Sequence, residues 1–138
     1  MIATVYNALT GAATAVRVSS EGLAQRMTDA GRLFVLGEFD GEQYYYNFSN
    51  QAPALRPEMP ADADRASVAA DDADLVTITG LPMTDPNGFG IVPVVRVDGQ
   101  SFAVADGVAE ISFDCPGQHK IVCAAGNYLP KVFMVEAI

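Results

Sequence analysis

The chain has 138 residues, half of them apolar and 18% charged, which suits one ordinary domain or two very small ones and excludes a wholly disordered chain. Its 17 Asp and Glu outnumber 8 Lys and Arg, and the net charge of -9 repels nucleic-acid phosphates and anionic membrane surfaces. No apolar run approaches the ~20 residues of a membrane helix, and the opening Met1-Ile2-Ala3-Thr4-Val5-Tyr6 lacks the basic and long apolar regions of a secretory leader, so neither is expected.

The first part covers residues 1–50. Ile2, Thr4 and Tyr6 alternate with Ala3 and Val5 as a strand does. Asn7-Ala8-Leu9-Thr10-Gly11 reads as a turn, with Gly11 free to take positive φ. Residues 13–19 then predict a second strand and a hairpin. Ser19 or Ser20 can cap a helix, Glu21 suits its first turn, Leu23 and Met27 share a face, and Gly31 stops it. A short amphipathic helix is therefore expected over 21–30. Residues 33–39 and 44–48 are rich in β-branched and aromatic side chains, and Asp40-Gly41 between them predicts a hairpin. The expected unit is β-β-α-β-β. So small a unit buries little core and leans on something else.

Residues 51–73 read as a linker. Pro53, Pro57 and Pro60 favour extended backbone, and an Ala/Asp-rich stretch with a brief helix over 61–70 follows. The second part covers 74–138. Strands are expected at 76–78, 91–97, 102–105, 109–113, 120–124 and 131–136. Between them lie the turn signals Asp98-Gly99, Asp106-Gly107 and Pro116-Gly117. Short strands at this spacing predict a small Ig-like β-sandwich. The fold class is thus mainly β, an α+β N-terminal unit plus a small sandwich.

Residues able to carry chemistry are few. His119 is the only histidine, and no Cys-x-x-Cys or second His stands at ligand spacing, so a zinc site is not expected. Cys115 and Cys123 read as two reduced thiols rather than a disulfide framework. A Cys115–His119 nucleophilic pair rests on sequence proximity alone. Asp71-Asp72-Ala73-Asp74 offers oxygen ligands but not the spacing of a calcium loop, and Asp85 with Asn87 is weaker still. Gly88-Phe89-Gly90 lacks the dinucleotide fingerprint. No catalytic, metal or cofactor site is expected. The run Tyr44-Tyr45-Tyr46 places Tyr44 and Tyr46 on one side of a strand and Tyr45 on the other. One side is expected to pack on the Leu23/Met27 helix and the other to meet a partner, since tyrosine is enriched at interface cores. Phe39 and Phe48 extend the patch.

The order of these features resembles small structural proteins encoded in the tail-gene regions of tailed bacteriophages. The resembling pieces are Tyr6-Asn7-Ala8-Leu9-Thr10-Gly11, residues 37–46 and Arg56-Pro57-Glu58-Met59-Pro60. They continue with Ile78-Thr79-Gly80-Leu81-Pro82, Val97-Asp98-Gly99, Asp106-Gly107, Phe113-Asp114-Cys115-Pro116-Gly117 and Asn127-Tyr128-Leu129-Pro130. They span nearly the whole chain, which departs from that pattern in its long Ala/Asp linker. The resemblance implies a non-enzymatic virion component, assembled in the host cytoplasm. It would be present in multiple copies or as a symmetric oligomer, with other virion proteins as partners and weak contact with cell-surface glycan. Leu23, Met27, Phe39, Tyr44, Tyr45, Tyr46 and Phe48 are the expected interface. A capsid decoration (cement) protein is the alternative. A carbohydrate-binding accessory module is another, using exposed aromatics such as Phe89 or Tyr128.

Overall fold

The computed structural model describes residues 3–18, 32–36 and 39–138, and every described element of regular structure is a strand. Two compact units emerge. One holds Met1–Pro57 with Pro86–Gly88, and the other holds Glu58–Asp85 with Phe89–Ile138. The helix expected over 21–30, with Leu23 and Met27, lies outside the described residues.

In the N-terminal unit, β1 (Ala3–Asn7), β2 (Ala13–Val18) and β3 (Arg32–Leu36) form an antiparallel sheet in the order β2-β1-β3. The hairpin expected at the start is present. Asn7 makes its turn, because its side-chain oxygen accepts the N–H of Leu9 and Thr10 at 2.8 and 3.1 Å. Gly11 sits at φ 75°, and a Cβ there would strike the carbonyl of Tyr46, so both conformation and space require glycine.

The second expected hairpin does not form. β3 pairs with β1, while β4 (Tyr44–Asn47) pairs with β5 (Ala52–Leu55). Asp40-Gly41 instead opens a wider turn, in which the Asp40 carbonyl accepts the N–H of Gln43 and Tyr44 and its carboxylate accepts that of Glu42. A two-residue turn signal sets only a local bend, and the strand partner is a tertiary choice.

The stretch expected to be a linker is partly strand and partly core. It holds β5, β6 (Asp62–Ala63) and β7 (Ser67–Val68), in place of the brief helix expected over 61–70. Met59, Ala61 and Val68 are buried. Pro53 lies within β5, and extended backbone with alternating apolar side chains joins sheets as readily as it spans solvent.

The remaining strands are β8 (Val76–Thr79), β9 (Val94–Val97), β10 (Gln100–Ala103), β11 (Ala109–Ile111), β12 (Gly117–Ala124) and β13 (Lys131–Ala137). They build a five-stranded sheet, β10-β9-β12-β13-β7, and a three-stranded sheet, β11-β8-β6. The segment from β6 to β7 thus leaves one sheet and enters the other, β7 running parallel to β13. Val76, Ile78, Ala109 and Ile111 of the smaller sheet share one core with Val95, Ile121, Cys123 and Val135 of the larger. The β9–β10 hairpin forms where expected, with Asp98 and Gly99 at φ 49° and 82°, the paired left-handed residues of a two-residue turn.

Candidate functional site

The aromatic patch of the N-terminal unit is real but split. Phe39, Tyr44, Tyr46 and Phe48 are half-buried. The Phe39 and Tyr44 rings meet edge-on at 5.4 Å, and Tyr46 and Phe48 do so at 5.6 Å, the geometry aromatic quadrupoles favour. Tyr46 also lies 5.6 Å from Tyr6, whose fully buried hydroxyl finds no partner and is pushed up to about 12 by burial. Asn87 braces this edge, since its amide donates to the Tyr46 carbonyl at 2.9 Å and its oxygen accepts the Phe48 N–H at 3.0 Å.

Tyr45 corrects the expected interface. It is 5% exposed, and its hydroxyl accepts the Asn47 amide at 3.0 Å. Alternation did separate it from Tyr44 and Tyr46, but the side it occupies is interior, while its neighbours are half-buried.

His119 is a structural clasp. Its side chain is 11% exposed, and its ring stacks on Phe113 at 4.2 Å. Nδ1 lies 2.9 Å from the Asp98 carboxylate and Nε2 lies 2.8 Å from the Cys115 carbonyl. Both partners are acceptors, so both bonds form together only with the imidazolium. The Cys115 carbonyl, followed by Asp98, raises the pKa above the ordinary value against the opposing effect of burial. A raised folded-state pKa gives stability that is full below about pH 6.5 and is lost as pH rises through the folded value. His119→Gln is therefore expected to lower Tm more at about pH 5.5 than at about pH 8.5. An equal loss at both, in thermal melts, sinks the clasp.

Cys115 is exposed, and Asp114 raises its pKa by hydrogen bonding and by charge, which is the opposite of nucleophile activation. The imidazole reaches the Cys115 carbonyl, not its thiol. Cys123 is buried and free, pushed up to about 11 by desolvation.

The acidic loops are engaged with the chain itself. Asp71 accepts the N–H of Ala73 and Asp74. Asp74 accepts from Arg65 at 2.6 Å and from the Ala69 N–H at 2.9 Å, and Asp72 accepts the Ser112 hydroxyl at 2.8 Å. Among the described residues no three metal-ligating side chains come together. Asp85 is buried and holds Asn127 twice, accepting its backbone N–H at 2.7 Å and its side-chain amide at 3.1 Å. Phe89 and Tyr128 are half-buried, Tyr128 against the core.

The residues missed by sequence reasoning lie on the outer face of the larger sheet. Val94, Val132 and Met134 are 40, 48 and 52% exposed there, beside the exposed Arg96 and Lys120. A signal existed. Lys131-Val132-Phe133-Met134-Val135-Glu136-Ala137 is apolar on both faces, the pattern of a strand covered on both sides.

No family model matches the sequence, and no curated protein matches it. Two solved structures are similar, both glycosyl hydrolase family 2 members from Bacteroides cellulosilyticus. One was obtained from microfluidic crystals and has a TM-score of 0.41 and 12% identity over 99% of this chain and 21% of that one. The other, from strain DSM 14838, has a TM-score of 0.37 and 12% identity over 97% and 22%. The chain thus spans about a fifth of each neighbour's length.

Proposed function

We propose that this chain is a non-enzymatic structural component of a bacteriophage virion, in the tail near its tip or fibre-attachment region. The N-terminal unit docks on the particle, and the C-terminal unit projects as an Ig-like module. The observation that carries the reading is the set of half-buried rings Phe39, Tyr44, Tyr46 and Phe48 on a very small unit. Rings left half in water on a unit with little core of its own are where a partner adds the most. In this reading Leu23 and Met27 belong to the same docking surface. The two-layered C-terminal unit is compatible with the Ig-like module. The engagement of His119 and of Asp71, Asp72 and Asp74 with the chain itself is in keeping with a structural role.

The test is quantitative mass spectrometry of purified particles of the encoding phage. A copy number far below that of the major capsid protein is expected. Hundreds of copies would move the chain to capsid decoration, and its absence would overturn the virion reading. Particles assembled with Tyr44→Asp or Phe48→Asp are expected to carry fewer copies of a chain that still folds, and full occupancy would overturn the docking surface.

A further inference from the structure

We propose that the C-terminal unit stacks head-to-tail on a second copy of itself. The outer face of its five-stranded sheet meets the outer face of the other copy's three-stranded sheet. The inference goes beyond the virion reading and does not depend on it, because it concerns the purified chain in solution.

The first face is defined by register. Arg96 pairs with Val122, which pairs with Val132, and Lys120 pairs with Met134. Directly opposed residues of antiparallel strands share a face. These side chains therefore lie together, away from the core residues Val95, Ile121, Cys123 and Val135 that alternate with them. Val94, opposite Ala124, joins them. The surface is apolar at its centre, and its strand charges are Arg96 and Lys120 against Glu136 alone. Arg96, Lys120 and Val122 also line a shallow depression of about 340 Å³ with Asp98 and Gly99. Asp98 already faces His119.

The second face has the opposite sign. Glu110 pairs with Thr77 and Asp62 pairs with Thr79, placing both carboxylates outside the core residues Val76 and Ile78. The same alternation carries Leu75 and Val108, 37 and 40% exposed, onto this face. Its neighbouring cation, Arg65, is paired with Asp74 at 2.6 Å.

One unit thus presents an apolar, basic surface on one layer and an apolar, acidic surface on the other. In a chain of net charge -9, copies repel in most orientations, and this is the orientation in which opposite charges meet. Two basic faces, or two acidic ones, would oppose like charges. The contact is therefore heterologous, and repetition gives a ring where the rotation closes and an open stack where it does not.

Sedimentation equilibrium of the full chain over a concentration series tests this. Concentration-dependent association is expected at low ionic strength, weakening at least about tenfold in roughly 0.5 M salt, where exposed charges are screened. Arg96→Glu with Lys120→Glu, and separately Asp62→Lys with Glu110→Lys, are surface reversals expected to leave the thermal melt unchanged. Each variant alone is expected to be monomeric, while an equimolar mixture associates. A monomeric wild-type chain at all concentrations overturns the proposal. So does a mixture that stays monomeric. A single variant that associates as well as wild type overturns it in favour of a symmetric contact through the other face.

Discussion

Asp85→Ala is expected to remove about 3 kcal/mol from the stability of the C-terminal unit, since two buried donors lose a charged acceptor at once. Asp85 and Asn127 are 3 and 4% exposed, and Asp85 takes both the backbone and side-chain N–H of Asn127. The neighbouring Gly126, at φ 47°, leaves no room for a Cβ beside the Asp85 carboxylate, so the backbone of that loop packs closely on the group. Asp85→Asn keeps one acceptor oxygen and is expected to lose about half as much. Urea unfolding followed by signals of the C-terminal unit checks both. A loss below about 1 kcal/mol for Asp85→Ala would falsify this account of the Asp85–Asn127 contact.

Tyr45→Asp is expected to unfold the N-terminal unit. The substitution removes a buried aromatic ring, at a cost of about 3 kcal/mol or more, and leaves a carboxylate where the ring was. A unit this small has little stability to lose. The Asn47 amide also loses its acceptor. Amide signals of residues 3–18 and 44–55 are expected to collapse in two-dimensional NMR spectra while those of 89–138 persist. Tyr45→Phe, which deletes only the hydroxyl, is expected to keep the fold. Retained dispersion throughout for Tyr45→Asp would show that the ring is dispensable. The same substitution at a half-buried position such as Phe48 is expected to leave the unit folded and reduce docking instead. The contrast separates a folding defect from a lost contact.

The two-sided strand Tyr44-Tyr45-Tyr46 shows what was legible in the sequence. Alternation correctly set Tyr45 apart from its neighbours, because side-chain period is a local property of extended backbone. Which side is interior depends on β5 and on the packing of the unit, and neither is written in the run itself. The hairpins at Asn7–Gly11 and Asp98-Gly99 were legible for the same local reason. Asp40-Gly41 misled because the chain offered β3 a better partner in β1 than in β4. Strands β6 and β7 were not legible. At two residues each in an Ala/Asp-rich stretch, with Val68 the one strong strand former among them, they are too short to show a strand pattern, and their stability comes from the ladders of β8 and β13.

The candidate surfaces divide along the same line. The aromatic patch was visible because large rings announce themselves by type. The Arg96–Val122–Val132 row was not, since its members lie on three strands and meet only through register. The sequence by itself determined a mainly β chain, its acidity, most of its turns and the two-faced character of its strands. Each depends on residue type and short spacing. Only the tertiary structure decided strand partners, the absorption of the apparent linker into three sheets, the interior side of the tyrosine strand and the opposite charges of the two outer faces. These depend on which distant segments share a ladder and a core, and non-local pairing leaves little trace in any one segment.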